Sequence, residues 1–93
     1  MLYLICYDVR DDDRPERYQE IEDFFAAAGA SRLLNSAWLL SSTLPTNDIF
    51  DHITTVSGPN DGITVAEITN QTVTHNVMIP VSEVDHLLSQ ARG

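Results

Sequence analysis

Two short stretches of this chain, Leu2–Tyr7 and Ala37–Leu40, are apolar or aromatic at every position, and this restricts the fold more than any other feature. Runs this short read as strands that are buried on both faces. Alternation puts Leu2, Leu4 and Cys6 on one face of the first strand and Tyr3, Ile5 and Tyr7 on the other. Both faces must therefore be covered, in a chain of only 93 residues. A chain of this length forms one domain and buries roughly 60–65% of its unfolded surface.

The elements between and after these strands follow from periodicity. Residues 14–28 fit a helix with the stripe Tyr18, Ile21, Phe24, Phe25 and Ala28, and Gly29 is its left-handed stop. Asp13, with Glu16 three residues on, gives a capping-box variant. Residues 32–41 read as one long strand or as a tight pair broken near Asn35. Thr46 is expected to cap a second helix reaching Val56, with Ile49, Ile53 and Val56 on one side. Residues 58–62 are a loop, residues 63–69 a third strand, and residues 72–79 a more polar fourth strand after an Asn70-Gln71 turn. Pro80 punctuates, and Ser82 is expected to cap a C-terminal helix carrying Val84, Leu87, Leu88 and Ala91.

This order predicts an α+β fold: a ferredoxin-like βαββαβ sandwich with an extra C-terminal strand or helix, residues 1–93 forming a single domain. Two helices on one face of a four-stranded sheet leave the other face open. Such a face, on the order of several hundred Å² of apolar surface, exceeds what a monomer usually exposes. A homodimer is the expected solution. The alternative is that the C-terminal helix folds under the sheet and covers it.

Charge bears on partners. There are 14 acidic residues against five basic ones, all five of them arginine, for a net charge of -9. Nucleic-acid affinity is built largely from Lys/Arg contacts to phosphate, so this balance disfavours non-specific binding to DNA or RNA. It favours divalent cations and basic partners. An acidic surface also arises from the general protein chemistry of a salt-adapted host. No apolar run approaches the roughly 20 residues of a membrane span, so no membrane association is expected. The apolar N-terminus begins without a basic region and runs into Asp8, as a strand does and a signal peptide does not. The single cysteine, Cys6, rules out an internal disulfide framework, and the cytoplasm is the expected compartment.

Asp8 is the leading candidate for chemistry. A carboxylate at the C-terminal end of a strand can coordinate Mg²⁺, which keeps several waters and needs only one or two protein carboxylates. In a symmetric dimer each chain would supply one. The plainer reading is a turn aspartate bonded to its own backbone. Asp11, Asp12 and Asp13 could join Asp8 around a cation, or form a solvated turn with a helix cap. His52, His75 and His86 share no metal-ligand spacing. Ser36, Ser41 and Ser42 have no adjacent histidine motif, and there is no glycine-rich phosphate loop. Cys6 and Trp38 read as core or interface residues.

The opening Tyr3-Leu4-Ile5-Cys6-Tyr7-Asp8-Val9, the charged Asp11-Asp12-Asp13-Arg14 turn, the helix ending at Gly29 and then Arg32-Leu33-Leu34-Asn35-Ser36-Ala37-Trp38 resemble the second CRISPR-associated protein family. The resemblance covers residues 1–42, and the remainder only in length and element order. It extends to short relatives of that family outside CRISPR loci and, more distantly, to the virulence-associated protein D toxins. It implies a ferredoxin-like homodimer, a metal-dependent nuclease and a place in a spacer-integration complex. Carried over by position, Asp8 would be the catalytic, Mg²⁺-binding aspartate facing its symmetry mate, and Ser36 and Trp38 the serine and aromatic of the second strand. The first helix carries Arg14 and Arg17 among acids where that family is rich in Lys and Arg, and Leu34 stands at its Gln position. The expectation is thus a Mg²⁺-dependent phosphodiesterase whose activity is weak or lost. The alternative is a non-catalytic acidic homodimeric adaptor or regulator that binds a basic protein such as an integrase.

Overall fold

A computed structural model describes residues 1–9, 16–58, 60–69 and 76–92. The elements are β1 (Leu2–Asp8), α1 (Glu16–Ala27), β2 (Ser31–Leu34), β3 (Ala37–Ser41), α2 (Thr46–Thr54), β4 (Gly62–Ile68) and α3 (Val81–Arg92). The strands form one sheet in the order β2-β3-β1-β4. All neighbours are antiparallel. The protein is therefore α+β, with a four-stranded antiparallel sheet and three helices among the described residues.

β1 lies in the interior of the sheet, with Ile5 opposite Trp38 of β3 and Val65 of β4. This explains its unbroken apolar run, since a central strand has a hydrogen-bonded neighbour on each edge and packing on each face. Tyr3, Ile5 and Tyr7 point to the side covered by α1 and α2, where they pack with Ile21, Phe25, Ile49, Ile53 and Trp38. Leu2 and Leu4 point to the other side and pack with Leu33, Leu39, Val84 and Leu88. The helix that supplies Val84 and Leu88 is α3. The face expected to be open is thus covered by the C-terminal helix around Leu2, Leu33 and Leu39, and the dimer argument based on a bare sheet loses that support.

Local chemistry explains the element ends. Gly29 has φ +78°. Its amide donates to the Ala26 carbonyl at 3.1 Å, and the Ala30 amide donates to the Phe25 carbonyl at 3.0 Å. This is a Schellman closure, with a glycine in the left-handed position where an L side chain is disfavoured. Residues 31–41 are a tight pair broken at Asn35-Ser36, with an extra residue in β2 between Arg32 and Leu34. Such a bulge lets Leu33 turn into the core of the α3 side.

Five expectations need correction. Thr46 is the first helical residue rather than the cap. Pro45 precedes it at φ -68°, ψ 161° and makes no side-chain cap bond. Its carbonyl takes the Asp48 and Ile49 amides at 3.0 and 3.1 Å, so a rigid extended proline starts the helix. Ser82 likewise lies inside α3, where the Pro80 carbonyl accepts the Glu83 and Val84 amides. Residues 76–79 are not a strand: Asn76 sits at φ 54°, which breaks an extended run. The Met78 amide nevertheless donates to the Leu33 carbonyl at 2.8 Å, tying this segment to the edge of β2. The rest of the expected fourth strand, the Asn70-Gln71 turn and the Asp13 cap lie outside the described residues. Finally, Tyr18 is 37% exposed rather than a core position, and Ala28 lies beyond the helix end.

Candidate functional site

Asp8 closes β1 opposite Gly62, a residue with no side chain to screen it. Its carboxylate is exposed. Strand alternation puts it on the same side as Leu2, Leu4 and Cys6. α3 packs toward the Leu2 end of that side, while Asp8 lies at the other end of the strand, beside the half-buried Cys6 and the exposed Thr64. Cys6, Tyr7, Asp8, Gly62, Ile63 and Thr64 line a pocket of about 380 Å³ there. Asp8 and Thr64 bring a carboxylate and a hydroxyl to this lining, hard oxygen groups of the class that suits Mg²⁺. Among the described residues no three His, Cys, Asp or Glu side chains gather closely enough to hold a metal. One chain thus offers a single described carboxylate at this place, and a second would have to come from elsewhere. Asp11, Asp12 and Asp13 lie outside the described residues.

The structure brings the β2–β3 turn to the end of β1. The Tyr7 amide donates to the Ser36 carbonyl at 3.0 Å, placing Ser36 one residue from Asp8 along the ladder. Trp38 is buried at 7% exposure. Its indole stacks on Phe25, with ring centroids 5.4 Å apart, and its Nε1–H donates to the Tyr7 hydroxyl at 3.3 Å. Tyr7 in turn donates to the Asn35 carbonyl at 3.3 Å. The Arg32 guanidinium lies 5.7 Å from the Trp38 ring centroid. It also donates to Glu22 at 2.7 Å and to the Asn35 carbonyl at 2.8 Å. Burial raises the Tyr7 phenol above its ordinary value, because the phenolate would lose water it cannot replace.

This network fixes the strand end that carries Asp8. Sequence reasoning found Trp38 and missed its polar partners. Alternation sets the faces within β1 and within β3, but only the register that puts Trp38 opposite Ile5 brings Tyr7 and Trp38 to the same side. Glu22 and Arg32 are ten positions apart and have no local spacing rule to link them. His52 and His86 are exposed on separate helices, and His75 lies outside the described residues. Among the described residues no helix is long and apolar enough to cross a membrane.

Comparison with protein-family models gives no match, and a search of curated proteins finds none.

Proposed function

We propose that this chain is a ferredoxin-like homodimer of the second CRISPR-associated type, with Asp8 as the metal-binding residue of a weak, Mg²⁺-dependent phosphodiesterase acting on nucleic acid. The observation that carries this reading is the position of Asp8: an exposed carboxylate at the end of the central strand, in a pocket away from α3. The element order βαββαβ followed by α3, with β1 between β3 and β4, supports the ferredoxin-like assignment. In a two-fold pair built on this side of the sheet, each chain would bring its own Asp8. Mg²⁺ bound there would supply an activated water and offset charge on the phosphate. Asp8 would hold the cation, and the Tyr7–Trp38–Arg32 network keeps its strand end in place. A net charge of -9 repels the substrate backbone, which is why the activity is expected to be weak. A cytoplasmic location fits this reading, with Cys6 a free thiol.

The charge balance favours a second reading, a non-catalytic adaptor that binds a basic protein such as an integrase. The test is cleavage of RNA and of duplex DNA by wild type and Asp8→Asn, each with Mg²⁺ and with chelator. The phosphodiesterase reading expects slow, metal-dependent cleavage that disappears in Asp8→Asn while the thermal melt is retained. Equal cleavage by both proteins removes Asp8 from the mechanism. No cleavage by either leaves the adaptor.

A further inference from the structure

The two sides of the sheet are held unequally. Among the described residues, nine are buried together on the α1–α2 side, and four of these are aromatic. On the other side five aliphatic residues are buried together, and two of the five, Val84 and Leu88, belong to α3. We infer that residues 77–92 form a hinged cover, which leaves the sheet as one unit about Asn76 while the α1–α2 side stays folded. The inference goes beyond the proposed catalysis and does not depend on Asp8.

The contacts of this segment converge on one place. Val77, Ile79, Val84, Leu87 and Leu88 all pack in the cluster of Leu2, Leu33 and Leu39. The Met78 amide donates to the Leu33 carbonyl at 2.8 Å, and the Ser31 hydroxyl donates to Glu83 at 3.3 Å. These ties run from residues 77–92 to one side of the sheet, so they are made and lost together. Among the described side chains of α3, Val84 and Leu88 are the buried ones, and Glu83 and Leu87 are half-buried. A helix of 12 residues is marginal by itself in water. Undocking therefore melts α3, and docking and helix formation are a single event.

Asn76 stands at the joint. It is exposed, and its φ of 54° lies in the left-handed region, which costs an L side chain conformational energy. The closed cover holds it there, and opening releases it. What opening leaves behind can stand. β1 keeps β3 and β4 as neighbours, and Tyr3, Ile5 and Trp38 keep their packing against α1 and α2. The Leu33 carbonyl lies on β2, the outermost described strand on that side, where water can replace the Met78 amide. The cost is exposure of Leu2, Leu33 and Leu39 to water. A unit with few buried side chains opens below the global unfolding free energy.

The test is amide hydrogen exchange of the full chain, residue by residue, over a series of sub-denaturing urea concentrations. The Met78 amide and those of residues 85–88 are expected to share one protection factor. It should be at least about tenfold below that of Ile5, Phe25 and Leu39, with a weaker urea dependence because less surface is exposed. Ile53→Val separates the two sides. It weakens the α1–α2 core, which the open and closed forms share. Exchange at Ile5 and Phe25 should therefore rise about two- to tenfold, while Met78 and residues 85–88 stay as in wild type. Asn76→Val probes the joint. Its strain exists only in the closed form, so exchange at residues 85–88 should rise about five- to thirtyfold. Equal acceleration of both groups by Ile53→Val would mean one cooperative unit and overturn the inference. A Met78 amide protected as well as Ile5 would show α3 fraying without the rest of the segment, and would overturn it too. So would residues 85–88 with no protection in wild type, or with exchange that Asn76→Val leaves unchanged.

Discussion

Trp38 has three kinds of partner at once: the Phe25 ring, the Arg32 guanidinium and the Tyr7 hydroxyl. Removing it should be the most damaging single change. Trp→Ala at such a site costs about 3–5 kcal/mol, against a total of about 5–15 kcal/mol for a typical domain. Trp38→Ala should therefore melt far below wild type or fail to fold, and a melt within a few degrees would show the residue to be peripheral. Tyr7→Phe is a finer probe. It removes the hydroxyl that accepts from Trp38 and leaves a buried donor unmatched, a loss of about 1–3 kcal/mol. It also has a pH signature. The folded phenol titrates above the ordinary value of 10.0, so the native state holds its proton more tightly than the unfolded chain. This contribution is fully present below pH 10 and is lost as pH rises through the folded value. Urea midpoints measured from neutral to strongly alkaline pH should fall less steeply for Tyr7→Phe than for wild type. Parallel curves would show that Tyr7 does not govern the alkaline limb.

Element ends and faces were legible wherever a local rule decides them. Gly29 terminates α1 because a left-handed residue was required, and a Cβ there would touch nothing within 4 Å. The cost of Gly29→Ala is thus conformational alone, about 1–2 kcal/mol, and thermal melts would check it. The alternating faces of β1 were legible for the same reason, since period two leaves no freedom. Helix starts were not, because proline carbonyls at Pro45 and Pro80 do work that a hydroxyl cap was expected to do. The covered face of the sheet was a tertiary choice: Val84, Leu87 and Leu88 announce an amphipathic helix but not where it docks. Leu88 is 7% exposed against the Leu2–Leu39 side. Leu88→Ala should cost about 2–5 kcal/mol and increase binding of a dye that reports exposed apolar surface. A variant with wild-type stability and dye binding would show that α3 is only loosely held. The candidate site was half legible. Asp8 ends an apolar strand, which the sequence displays, but the Arg32–Glu22 pair arises from elements that meet only in three dimensions.

At the scale of the whole molecule, α3 and charge both bear on self-association. A stable two-fold interface takes about 800 Å² from each partner. The side of the sheet around Cys6, Asp8, Thr64 and Ala66 offers only a few side chains, so a dimer on this side has to include α3 or the apolar residues near its start. Met78 and Val81 are both 55% exposed there. Two chains that each carry -9 repel one another, and this opposes any such pairing at low ionic strength. The Debye length shortens from about 30 Å at 0.01 M to about 10 Å at 0.1 M salt, so screening should strengthen association. Light scattering at micromolar concentration should therefore report a mass moving from 10.4 kDa toward twice that value as salt is raised. Val81→Glu, which adds a charge at the start of α3, should hold the protein nearer the monomer at every salt concentration while its melt stays close to wild type. If the wild type remains a monomer across the whole salt series, α3 alone satisfies the sheet, and a metal site shared between two Asp8 carboxylates has no assembly in which to form.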